Sequence, residues 1–179
     1  MQPFRILSST FIIDEPYCRI EKQRVVFPDG TEGDWFIKRN NDAVIVLPMD
    51  ADGRVLLQRC YKHGCGEVVT EFCAGLIDDG ETPAEAAHRE LTEETGLTAE
   101  TMEKIGSCFA SPTGVDMSYH FFIAHNCGET GIQNLESAEQ IETFWVDGLD
   151  KAKEILTAPD TQTGTPSLAL LSFLSDRKF

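Results

Sequence analysis

Three glutamates, Glu90, Glu93 and Glu94, follow directly on Arg89, with only Leu91 and Thr92 between them. On a helix Glu90 and Glu94 are one turn apart, and so are Arg89 and Glu93. Carboxylates this close repel one another unless something positive sits between them. Arg89 can neutralise one, and Glu93 is its natural partner. The remaining oxygens suit Mg2+ or Mn2+, hard cations that favour carboxylates, carbonyls and water. A solvated acidic helix face has the same spacing, so the triplet does not decide the matter alone.

The helix that would carry these residues is specified locally. Thr82 is a good N-cap, Pro83 suits the first helical position, and Glu85 completes a capping box. Gly96 stands where the last turn wants a left-handed residue, with Leu97 able to fold back. The spacing therefore predicts a helix over 83–95. Ala84, Ala87 and Leu91 share one face, small enough to pack closely on a sheet, while the glutamates share another.

The full stretch from Gly75 to Leu97 reads Gly-x5-Glu81-x7-Arg89-Glu90-Leu91-x-Glu93-Glu94-x-Gly96-Leu97. At every fixed position it resembles the signature of the Nudix hydrolases. The resemblance implies an α/β fold, the Nudix α/β/α sandwich with a mixed sheet, here preceded by an N-terminal β-hairpin segment. It also implies metal-dependent attack of water on a nucleoside diphosphate linked to another group. Carried over by position, the metal ligands are Glu90, Glu94 and the Ala74 backbone carbonyl, for Mg2+ or Mn2+. Arg89 and Glu93 belong with the catalytic group, and Glu81 supports the loop.

Over residues 17–175 the chain resembles the ADP-ribose pyrophosphatase branch. Val55-Leu-Leu-Gln-Arg59-Cys-Tyr61-Lys62 is similar to that branch's strand ending in Arg-Gln-Tyr-Arg, and Glu71-Phe-Cys-Ala74-Gly75 to its Glu-x-Pro-Ala-Gly. Ser111-Pro112 stands near its marker proline. The branch places a further glutamate in the loop where Glu136, Glu139 and Glu142 occur; Glu139 is the expected general base. Arg59, Lys62, Trp35 and Pro112 are the candidate substrate contacts, Trp35 or Phe36 by stacking on a base. A core role for these aromatics is an equal alternative, and Phe121, Phe122 and Trp145 read as core. The chain departs from the branch at Lys62 for Arg, Cys60 for Gln, Cys73 for Pro, Thr113 for Gly and Met117 for Glu. Lys62 cannot offer the bidentate fork of Arg, which opens the choice to GDP-sugars, dinucleotides or nucleoside triphosphates. A nucleotide-sensing module without turnover is the rival from a different class.

The elements that must position these groups are short strands and few helices. Tyr17–Phe27 and Asp34–Lys38 read as a hairpin around Pro28-Asp29-Gly30. Ala43–Pro48, Val55–Arg59, Glu67–Cys73, Lys104–Ala110, Tyr119–His125 and Ile141–Val146 read as strands. The segments 149–156 and 167–174 read as closing helices. Residues 1–40 form a β-rich segment expected to mediate homodimerisation and shape the base pocket, and 41–179 the hydrolase domain.

Composition narrows the partners. Lys and Arg total 15 against 30 Asp and Glu, a net charge of −15, and no basic cluster occurs. Nucleic acid is therefore not expected, whereas a small nucleotide shielded by a cation is. No apolar run approaches the ~20 residues that span a bilayer. Six cysteines without CxxC spacing, and no leader-like start, suggest reduced thiols in the cytoplasm. Cys60, His63 and Cys65 lack an evident fourth metal ligand.

Overall fold

The computed structural model describes residues 1–175, which fall into two compact units: 1–42 with 109–118, and 43–108 with the residues from 119 onward.

In the first unit β1 (Arg5–Glu15), β2 (Cys18–Val26) and β3 (Glu32–Arg39) form an antiparallel meander, and Val115–Asp116 pairs in parallel with the end of β3. The expected hairpin is thus β2–β3, turning at Gly30 with φ 86°. The outer strand β1 carries no clean alternation because both its faces are exposed, Ile6, Leu7, Phe11, Ile12 and Ile13 included. Inside the meander Glu21 is buried. Ser9 Oγ, Gln23 Nε2 (2.7 Å) and Arg39 Nε (2.6 Å) all donate to it.

The second unit is built on β4 (Ala43–Pro48), whose six residues are all buried. Its parity divides the core. Ile45 and Leu47 pack with Phe121, Ile123, Leu156 and Leu170, whereas Val44 and Val46 pack with Phe122, Ala86, Ala87 and Leu91. A strand covered on both faces is apolar throughout, which is why this one reads as a continuous run. β4 lies between β7 (Cys73–Leu76), antiparallel, and the strand Ser118–His125, parallel, with Thr101–Phe109 beyond. A second sheet orders Ile141–Val146, β5 (Val55–Lys62) and β6 (Glu67–Glu71), all antiparallel. Helix α1 (Pro83–Thr95) covers one side; α2 (Gly148–Leu156) and α3 (Thr165–Phe173) supply Leu156, Leu170 and Leu171 to the core on the other. This is the expected α/β arrangement with mixed sheets.

One expected strand divides. Glu67–Cys73 breaks at Phe72, so β6 and β7 serve different sheets. Phe72 is fully buried, and its N–H donates to Ser167 Oγ (2.9 Å) instead of to a neighbouring strand.

Candidate active site

Helix α1 starts and stops where its sequence dictates. Thr82 Oγ1 accepts from Glu85 N and the Glu85 carboxylate accepts from Thr82 N; Gly96 closes the helix at φ 70°. The face turned inward differs from the expected one. It comprises Ala86, Ala87, Glu90, Leu91 and Glu94, while Ala84 is exposed. Two of the three glutamates therefore lie on the packed side of the helix. Small alanines let α1 approach the β7 backbone, and Glu90 and Glu94 are carried in with it.

Each buried carboxylate has its own seat. Glu94 Oε2 accepts from the Ala74 N–H at 3.0 Å and from Gln58 Nε2 at 3.2 Å. Glu90 rests against Gly75, where a side-chain carbon would lie 2.0 Å from its carboxyl group. Burial pushes Glu94 up to about 7, against the lowering effect of hydrogen bonds from Cys73, Ala74 and Gln58. Burial also raises Glu90, with Arg89 opposing and the charges of Glu93 and Glu139 adding to the rise. Glu139 is thus within electrostatic reach of Glu90. Its own Oε2 accepts from Glu136 N at 2.8 Å.

Arg89 makes the pairing expected with Glu93 (3.0 Å) and more. Nε donates to Glu81 Oε1 (3.0 Å), Nη1 also to Glu90 Oε1 (2.7 Å), and Nη2 to Leu76 O (2.8 Å) and Glu81 Oε2 (2.9 Å). A guanidinium has five N–H donors, and these contacts use all five. Arg89 consequently ties the loop before α1 to the helix. Hydrogen bonds to Arg89 hold Glu81 below the ordinary carboxylate range.

The substrate candidates separate. Arg59 and Lys62 stand an odd number of residues apart on β5, so they face opposite sides of the sheet. Arg59 lies over the Phe144 ring at 5.4 Å and helps line a cleft of about 550 Å3 with Tyr61, Val68, Leu135, Gln140, Ile141 and Glu142. Lys62 turns inward to Glu71 Oε1 at 2.5 Å; burial disfavours its charge, but the Glu71 carboxylate overrides this and raises its pKa. Trp35 and Pro112, by contrast, meet in the first unit and line a pocket of about 180 Å3 with Ile37, Arg39 and the 113–116 turn. Trp35 Nε1 donates to Thr113 O at 3.2 Å, and its ring meets Phe4 edge-on at 5.4 Å. Phe121 and Phe122 are core, and Trp145 packs against it partly buried.

Among the described residues no three His, Cys, Asp or Glu side chains converge as a finished metal cage, and all six cysteines are free. The donor chemistry at α1 nevertheless fits a hard cation. Glu90 and Glu94 are desolvated carboxylates, and the Ala74 main chain lies against Glu94 through its N–H. Gln58, Cys73 and Gly75 were not singled out from the sequence as partners of these carboxylates. For Gln58 a signal existed, a lone polar residue extending the apolar run 55–57.

The NUDIX domain profile matches residues 39–163. An ADP-ribose pyrophosphatase of Bacillus subtilis is 33% identical over 56% of this chain and 54% of its own length, so the chain matches little more than half of that relative. A GDP-mannose pyrophosphatase of Yersinia enterocolitica is 32% identical over 68% of this chain and 61% of its own. In fold, the chain is similar to a crystal structure of an ADP compounds hydrolase, with TM-score 0.85 and 24% identity over 97% of this chain and 93% of that one.

Proposed function

The chain belongs to the Nudix family, and on that premise we propose that it hydrolyses the diphosphate bond of a nucleoside diphosphate sugar. The substrate is ADP-ribose-like, giving AMP and a sugar phosphate. The observation that carries this reading is the pair of desolvated carboxylates, Glu90 and Glu94, held on the packed face of α1 beside Ala74. These three would hold a divalent cation, Mg2+ or Mn2+, which when bound shields the diphosphate and acidifies water. Water attacks one phosphorus; a new P–O bond forms, the bridging P–O bond breaks, and the second phosphate leaves with its electron pair. Glu139 accepts the proton of that water, and Glu93 stands beside the ligands. Arg89 keeps the loop and helix in register. Arg59 is the proposed substrate contact of the second unit and Trp35 with Pro112 a proposed contact of the first, whereas Lys62 is turned inward to Glu71.

A small nucleotide is the partner that the acidic net charge of −15 allows through a cation. A second copy of the chain is proposed to cover the apolar residues that β1 exposes, which gives a homodimer through the N-terminal segment. No helix among the described residues is long and apolar enough to cross a membrane. A reducing cytoplasm is the proposed location, from six cysteines without CxxC spacing.

GDP-sugars are the second reading, favoured by the GDP-mannose pyrophosphatase likeness. Product analysis with ADP-ribose, ADP-glucose, GDP-mannose, NADH, FAD and a nucleoside triphosphate, with and without Mg2+, separates the two. Metal-dependent AMP from ADP-ribose supports the first reading. Preference for GDP-mannose replaces the substrate, and tight binding without product from any of them would replace catalysis by sensing.

A further inference from the structure

Gln58 lies on β5 two residues beyond Leu56, hence on the face that packs with Ala86, Ala87 and Leu91 of α1. It is only 1% exposed. Its Nε2 donates to Glu94 Oε2, the same oxygen that accepts from Ala74 N. Two donors from two strands on one oxygen fix the carboxylate far more firmly than either alone. The amide nitrogen is the end that faces the carboxylate. Gln58 Oε1 is consequently left buried with no hydrogen-bond donor among the described residues.

That arrangement is poor for folding alone. A leucine at position 58 would extend the apolar run Val55–Leu57, all buried, and would avoid the penalty of an unsatisfied acceptor. Glu71, its cross-strand partner, is engaged with Lys62, and no side chain among the described residues donates to the amide oxygen. A hydrated cation brings donors to such a place, since its waters present O–H groups outward.

We propose that Gln58 is a positioning residue for the acidic centre, its Nε2 holding Glu94 for a hard divalent cation and its Oε1 accepting from a water the cation carries. The proposal rests on the metal reading above and adds a neutral residue to it. Outer partners of this kind change metal affinity by about 10–100-fold when removed.

The test uses the full chain and Mn2+ alone. Gln58→Leu and Gln58→Met are made, Mn2+ affinity is measured by titration with paramagnetic resonance, and unfolding temperature is measured without metal. The expected result is at least a tenfold loss of Mn2+ affinity in both variants, with metal-free unfolding temperatures equal to or above the parent's. Parental Mn2+ affinity in both variants overturns the proposal while leaving the metal reading standing. Affinity lost only in step with a fallen metal-free unfolding temperature also overturns it, since the amide would then serve folding. No Mn2+ binding by the parent protein overturns both together.

Discussion

The carboxylate of Glu90 lies directly against the α-carbon of Gly75. A methyl group there would sit 2.0 Å from the carboxyl carbon and one of its oxygens, and 2.3 Å from the other. Glu90 cannot easily swing aside, because Arg89 Nη1 holds Oε1 at 2.7 Å and the residue is buried. Gly75→Ala should therefore displace Glu90 or push β7 off α1. We expect kcat/KM for the nucleotide substrate to fall about 100-fold, the scale of a 1 Å misplacement, and the metal requirement to rise. Overpacking should cost about 1–3 kcal/mol, measurable by denaturant unfolding. An unchanged metal requirement in a folded Gly75→Ala protein would show that Glu90 is not a ligand.

Arg89 is the second structural pivot. Lysine keeps the charge but has only three donors on one nitrogen, so it cannot reach Glu81, Leu76, Glu90 and Glu93 together. Arg89→Lys should destabilise the chain by about 1–3 kcal/mol and lower turnover by loosening the loop before α1. Thermal unfolding and steady-state kinetics read the two effects. A variant with the parent's unfolding temperature would mean that the five contacts contribute nothing net.

Glu90→Gln and Glu94→Gln should each abolish most turnover with the fold retained, because an amide binds a hard cation far more weakly than a carboxylate. Glu139→Gln should behave differently. A base acts on the proton and not on the cation, so kcat should drop about 100-fold or more while the metal concentration for half-activation stays close to the parent's. Equal kcat in Glu139→Gln would move the base to Glu136 or Glu142.

What the sequence made legible follows the range of the forces involved. The ends of α1 came out residue for residue because Thr82, Glu85 and Gly96 act within one turn. The inward face of α1 did not, since Ala84 and Ala86 are chemically alike and only the sheet decides which is covered. Arg59 and Lys62 looked like one substrate patch, yet strand parity sends them to opposite faces, and Glu71 draws Lys62 inward. The break at Phe72 depends on Ser167, 95 residues away. Gln58 and Gly75 needed a partner from α1 before they had any meaning. Long β1 escaped notice because its apolar residues lie on both faces.

Glu21 gives a prediction independent of catalysis. Hydrogen bonds from Ser9, Gln23 and Arg39 lower its pKa from the usual 4.5 to about 2. A carboxyl whose folded pKa is depressed stabilises the fold fully above its unfolded value. That contribution is lost as pH falls from about 4.5 toward 2. Acidification should therefore weaken the β1–β2–β3 meander before other elements that lack a buried, depressed carboxyl. Glu21→Gln should lower stability at pH 7 and flatten its dependence on pH below 4.5. The check is denaturant unfolding of parent and variant between pH 7 and pH 3, with hydrogen exchange locating the first amides released. Parallel pH curves for the two proteins would show that Glu21 keeps its proton affinity on folding, against the buried three-donor seat in which it lies.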